Sequence, residues 1–193
     1  GGAEARQALR AHPAARCLRS AAKPARIISM THGFHGPHHG RAVRNVEAAI
    51  REKFEPLVPN IEFVEAGNVE ALHDAFAETG QGKYGKGPVA AVIMELIQGE
   101  AGVMPLGADY VKAARKLCDE HKALLIIDEV QTGIGRTGAW FAFQREDLSG
   151  RCDPGHRHFR QGRGGGFPMG GMIPSAPNCP RCSPGFPRLT SPA

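Results

Sequence analysis

No apolar run in this 193-residue chain approaches the roughly 18 residues that a membrane-spanning helix needs, so no span is expected. The opening Gly1-Gly-Ala-Glu4 has neither an initiator Met nor an apolar signal core, which predicts a fragment without a secretory signal. Cysteines are few and odd in number: Cys17, Cys118, Cys152, Cys179 and Cys182. Without a signal, that count argues against a disulfide framework and for reduced thiols in the cytoplasm. Aromatic residues make up only 6%, too sparse to interleave with the basic residues as a nucleic-acid stacking surface would require. Lysine is absent beyond Lys122, which excludes lysine chemistry from everything after it.

The remaining composition is that of an ordinary globular protein, with 41% hydrophobic and 22% charged residues. The net charge of +5 is unevenly spread. Residues 1–28 carry six basic residues and one acid, and residues 151–193 carry six arginines and one acid. Residues 29–150 carry twelve basic residues and seventeen acids. The basic balance therefore belongs to the two ends and not to the body, so nucleic acid is not an expected partner.

Ala123-Leu-Leu-Ile-Ile-Asp128-Glu129-Val130-Gln131-Thr132-Gly133 organises the body. A continuous apolar run reads as a strand buried on both faces of a parallel sheet. Asp128 then falls at the strand's C-terminal end, where open α/β sheets place ligands. A buried carboxylate there calls for a cation or hydrogen-bond donors.

Further strands are predicted at Ala25–Met30, Ile61–Glu65 and Val89–Glu95. Helices are predicted at 42–53, at 69–78 with Asn68 as N-cap, and at Ala108–His121, where Tyr110, Val111, Ala114, Leu117 and Cys118 share a face. Thr31–Arg41 is a loop rich in Gly and His, and Gly80–Pro88 a linker. Alternating strands and helices argue for βαβ units in a mostly parallel sheet. Residues 151–193 hold eight of the fifteen prolines and three of the five cysteines, and keep no helix or strand period outside 164–173.

Two strands end in acids, Glu95 and Asp128, each followed by a loop with Gln and Gly. Parallel pairing would gather Glu95, Glu100 and Asp128 with Gln98 and Gln131 at one sheet edge. That set suits a cationic heterocycle and a small amino substrate. The alternative is that two of the acids cap a helix or pair with Arg136.

Asp128-Glu-Val-Gln-Thr-Gly-Ile-Gly-Arg-Thr-Gly138, with Glu95-Leu-Ile-Gln-Gly-Glu-Ala-Gly102 and Leu117-Cys-Asp-Glu-His121 before it, resembles the class-III, ornithine/acetylornithine-type pyridoxal-phosphate aminotransferases. The resemblance covers residues 26–150, with islands at 1–5 and 164–173. It implies an α/β fold, the incomplete large domain of a fold-type-I enzyme over 1–150, with 1–28 matching poorly. It implies pyridoxal 5'-phosphate as cofactor, with Asp128 on the pyridine nitrogen, Gln131 on the phenolic oxygen, and Val130 and Phe34 on the ring faces. His35 falls in the cofactor loop, and Gly2 and Ala3 offer backbone N–H groups to the phosphate. Glu95 and Glu100 match substrate-side glutamates. The implied reaction is transamination of an ω-amino group, with acetylornithine or ornithine as donor and a 2-oxo acid, 2-oxoglutarate, as acceptor. A 4-aminobutyrate-type donor is the runner-up. The implied assembly is a homodimer. Gly1, Arg6 and Pro37 depart from the family's usual Ser, Asn and Arg at those points.

The largest departure is the Schiff-base lysine, expected at about Gln161 and absent. Asp153-Pro-Gly-His-Arg-His-Phe-Arg-Gln161-Gly162 can be encoded GAC CCC GGA CAT CGT CAC TTT CGC CAA GGG. Read one base later, these codons give Thr-Pro-Asp-Ile-Val-Thr-Phe-Ala-Lys and the start of Gly, the family string. A compensated frameshift is therefore expected, beginning between Leu148 and Asp153 and restored near Arg163 or Gly164. Residues 174–193 read as shifted again, and 6–24 share their composition. Taken literally, the chain is then an inactive fragment.

Other features read more plainly. Cys179-Pro-Arg-Cys182 lacks a second ligand pair, so no zinc site is expected. His32, His38 and His39 read as loop residues, and Cys118 as core.

Overall fold

The computed structural model describes residues 25–35, 60–77, 87–150, 152, 156–160 and 170–174. The predicted helix at 42–53, Gly2, Ala3, Gln161 and Cys179–Cys182 lie outside them.

The elements follow in chain order. They are β1 (Arg26–Met30), β2 (Ile61–Val64), α1 (Val69–Phe76), β3 (Val89–Glu95) and β4 (Ile97–Gln98). Then come β5 (Met104–Pro105), α2 (Ala108–Glu120), β6 (Leu124–Asp128), α3 (Glu146–Ser149), β7 (His156–Arg160) and β8 (Gly170–Pro174). Six strands form one sheet in the order β2-β1-β3-β6-β7-β8. Every neighbouring pair in it is parallel except β7 with β8.

The apolar strands sit centrally because each must be covered on both faces. All seven residues of β3 are buried. In β1, Ile28 and Met30 are fully buried, and in β6 Leu125 and Ile127 are. The helices complete the core. Leu72, Ala75 and Phe76 of α1, and Tyr110, Val111, Ala114, Leu117 and Cys118 of α2, are the predicted apolar faces, and all are buried. Burying one such Leu or Phe contributes about 1.5–3 kcal/mol. Asn68 caps α1, its side chain accepting from the Ala71 N–H at 3.0 Å. Tyr110 O–H donates to Met30 Sδ at 2.8 Å, tying α2 to β1.

The register of β3 against β6 aligns Glu95 with Asp128. The two strand-end acids thus stand at the same level on adjacent strands.

Strand β7 corrects the expectation that no strand period, and hence no strand, survives beyond residue 150 outside 164–173. His156-Arg-His-Phe-Arg160 has no apolar alternation, yet it pairs with β6 on one side and β8 on the other. Sheet neighbours supply backbone hydrogen bonds to any residue type, so position in the sheet overrides propensity here.

Candidate functional site

Three loops leave the sheet's C-terminal edge: 31–35 after β1, the turn after β3, and the long loop after β6. They differ in what they do with the acids.

Asp128 is 3% exposed. One carboxylate oxygen, Oδ1, accepts from the Val130 backbone N–H at 3.0 Å. The other, Oδ2, lies 2.8 Å from His35 Nδ1. A carboxylate can only accept, so Nδ1 carries the hydrogen and donates. The His35 side chain is 1% exposed, and its Nε2 is buried with no partner among the described residues.

Glu95 is 4% exposed, and its Oε2 accepts from the Phe34 N–H at 2.9 Å. Burial raises its pKa above the usual Glu value. The Phe34 N–H and the nearby His35 oppose that rise, while Asp128 and Glu100 add to it.

Consecutive residues of one loop, Phe34 and His35, therefore hold the acids of two adjacent strands. The loop itself is pinned: Thr31 N–H donates to Val64 O at 2.8 Å, and Gln98 Nε2 donates to Thr31 O at 2.8 Å. At Gly33 a Cβ would come within 3.2 Å of both His35 Nε2 and Met30 O. The close packing of the loop thus favours glycine there.

Other predicted residues fall as follows. Gln131 and Glu100 are exposed at the same edge, and Val130 is half-buried. Phe34 is 44% exposed. Gln98 was expected to offer its amide to the site. Instead it is 2% exposed and holds the Thr31 carbonyl, because a buried amide must find a partner. Neither Glu95 nor Asp128 caps a helix or pairs with Arg136.

Glu129 was missed. It is fully buried, and its carboxylate accepts from Thr132 Oγ1, from the Ala142 N–H at 3.0 Å and from the Phe143 N–H at 2.9 Å. It closes the 130–143 loop into a knot. Within it Gly133 N–H bonds Glu129 O at 2.9 Å, and a Cβ on Gly133 would approach that oxygen to 2.8 Å. Ile134 takes a φ of 57°, an uncommon conformation for a β-branched residue. The only sequence hint was a hydroxyl residue three positions after the acid.

A cavity of about 360 Å³ lies against α2, lined by Lys112, Arg115, Lys116 and Cys152, away from the strand ends. It is open and faced by charges that already pair along the helix. Among the described residues no cluster of three or more His, Cys, Asp or Glu could hold a metal, and no helix is long and apolar enough to cross a membrane.

A buried acid at a parallel strand end, bonded by a histidine and by the Val130 N–H, suits a flat protonated heterocycle. Comparison with known proteins points the same way. The chain is 70% identical to the acetylornithine aminotransferase of Bifidobacterium longum over 151 residues, 78% of this chain and 35% of that protein. It is 42% identical to the acetylornithine aminotransferase of Methanopyrus kandleri over 148 residues, 77% of this chain and 35% of that one. The chain thus spans about a third of the length of the curated relatives it matches. Among solved structures, the N-acetylornithine aminotransferase of Stenotrophomonas maltophilia superposes with a TM-score of 0.61 at 30% identity, over 92% of this chain and 40% of that one. The ornithine aminotransferase of Toxoplasma gondii, a structure with pyridoxal phosphate partially occupying the active site, gives 0.71 at 26% identity, over 98% and 42%. The model of the family described as aminotransferase class-III matches residues 1–181, and the chain belongs to that family.

Proposed function

We propose that this sequence derives from a pyridoxal-phosphate-dependent aminotransferase acting on an ω-amino group, with acetylornithine or ornithine as donor and 2-oxoglutarate as acceptor. The carrying observation is Asp128, buried at the end of β6 and oriented by His35 and Val130. When bound, the cofactor supplies a cationic ring that withdraws electrons from the substrate carbon losing its proton. Asp128 would hold the proton on the ring nitrogen, since a neighbouring carboxylate favours the cationic form. Gln131, exposed at the same edge, would donate to the phenolic oxygen, with Val130 and Phe34 against the ring faces. Gly2 and Ala3 would hold the phosphate. Glu95 and Glu100, at the end of β3 and in the turn that follows it, would face the amino group of the donor. A 4-aminobutyrate-type donor is the alternative within the class. The same reading gives a cytoplasmic homodimer.

One observation favours a second statement about the chain as written. Strand β7 lies between β6 and β8, where a parallel strand is ordinarily apolar. Its residues are His-Arg-His-Phe-Arg. The codons read one base later place Ile-Val-Thr-Phe-Ala at 156–160 and Lys at 161, one residue beyond the end of β7. We infer that residues 153–162 are read out of frame and that the literal chain, lacking this lysine, does not turn over.

The tests are direct. Glutamate formation from acetylornithine and 2-oxoglutarate should be absent with the literal chain and present once the shifted reading is restored within the complete gene. Activity of the literal chain would overturn the frame inference. Failure of the restored protein on every ω-amino donor would overturn the function. Resequencing codons 148–165 should reveal an inserted or deleted base.

A further inference from the structure

Resting on the cofactor reading above, we propose that Thr132 is a positioning residue that aims Gln131, acting through the Glu129 carboxylate and touching no ligand itself. Three observations carry this. Thr132 is 4% exposed, and its hydroxyl donates to Glu129 Oε2. The same carboxylate accepts from the Ala142 N–H at 3.0 Å and the Phe143 N–H at 2.9 Å, so the hydroxyl is tied to the far limb of the loop. Between Glu129 and Thr132 the backbone makes a single turn, closed beneath by the Gly133 N–H on the Glu129 carbonyl at 2.9 Å.

Val130 and Gln131 form the crown of that turn. The Val130 N–H is held by Asp128 Oδ1 at 3.0 Å. Gln131 is exposed, and its Cγ lies 3.7 Å from where a Cβ on Gly99 would stand, beside the turn that carries Glu100. A glutamine side chain is rich in rotamers, so its amide meets a fixed point only if the backbone beneath it stays still. One backbone bond closes the turn on one side. The Thr132 hydroxyl closes it on the other, with the stronger kind of bond that an ionised acceptor makes. Threonine is also stiff at its first side-chain torsion, so turn and carboxylate move as one body. The hydroxyl thus supplies what an exposed amide lacks, a base that does not shift.

The experiment uses the full chain and two ligands. Pyridoxamine 5'-phosphate has no aldehyde, so its binding requires no lysine. Its 3-deoxy analogue has hydrogen in place of the phenolic hydroxyl. In the wild-type chain the hydroxyl-bearing ligand should bind more tightly, and Gln131→Ala should remove that preference, roughly fivefold for one neutral hydrogen bond. Thr132→Val keeps the shape and removes the donor. It should weaken the hydroxyl-bearing ligand by roughly threefold, part of that same bond, and leave the deoxy analogue unchanged. Thr132→Ser keeps the donor and should retain the wild-type preference. Thr132→Ala carries the same test should the valine variant not fold. Equal weakening of both ligands would mark a merely structural threonine and overturn the proposal. So would a serine variant as poor as the valine one, or no effect of losing the hydroxyl. If Gln131→Ala keeps the wild-type preference, the pairing of Gln131 with the phenolic oxygen falls and takes this proposal with it, while Asp128 keeps its place. If the wild-type chain binds neither ligand, the cofactor reading itself falls.

Discussion

Asp128 and Glu129 are neighbours in sequence, are 3% and 0% exposed, and take their hydrogen bonds from different places. Glu129 turns back into its own loop, where a Thr hydroxyl and two backbone N–H groups saturate it. Asp128 stays at the strand end and receives an imidazole brought from another strand. Burial of an acid is therefore not by itself a mark of function. The origin of the donors separates the two cases: all of Glu129's come from its own loop, while Asp128 takes one from its own loop, the Val130 N–H, and one from His35 on a distant element.

The sharpest way to break this comparison is to remove each acid and ask what is lost. Glu129→Ala leaves the buried Ala142 N–H and the half-buried Phe143 N–H without an acceptor and should cost on the order of 3 kcal/mol. Urea denaturation followed by circular dichroism would show it as a lower midpoint, and an unshifted midpoint would mean that the knot does not hold the loop. Asp128→Asn should be the milder change for stability, about 1 kcal/mol, because the amide oxygen still accepts the Val130 N–H. Its larger effect should be on pyridoxamine phosphate, with roughly tenfold weaker binding by titration fluorimetry for loss of a charge-assisted bond. A reversed order, with Asp128 dominating stability and Glu129 dominating ligand binding, would dismantle the distinction.

Glu95 extends the comparison to pH. Its folded pKa is raised mainly by burial, so the folded state favours the protonated form. Any stability tied to this group is fully present below the ordinary Glu pKa and is lost as pH rises through the raised folded value. Denaturation midpoints of the wild type, compared with Glu95→Gln, should therefore converge at low pH and separate as pH rises, with the variant more stable. Parallel curves would contradict this assignment. The smallest effect concerns Cys118, fully buried in the core with a thiol pushed up to about 12 by burial. It should resist a thiol reagent in the native state and react only at the rate of unfolding, so fast labelling would show that burial on α2 is less complete than at the two acids.

The body of the fold could be read from residues because its signals are local. The apolar runs of β3 and β6, the helical face of α2 and the Asn68 cap each depend on near neighbours. Asp128 stood out because an acid directly after a buried run is a conflict within a few residues. Glu129 gave no such signal, since its partners Ala142 and Phe143 donate through the backbone, which every residue carries. The misreading of Gln98 has the same origin: its partner is the carbonyl of Thr31, 67 positions away. Strand β7 was illegible for the opposite reason, because its side chains contradict the place its backbone takes.

By itself the sequence determined which segments must be buried, where the acids terminate strands, and that no lysine follows Lys122. These follow from side-chain chemistry and short-range periodicity. Only the tertiary structure decided that Glu95 and Asp128 share a level, that consecutive residues Phe34 and His35 bond one acid each, and that His35 reaches Asp128 across 93 positions. Those are consequences of parallel register and chain crossing, which bring together groups that no local pattern relates.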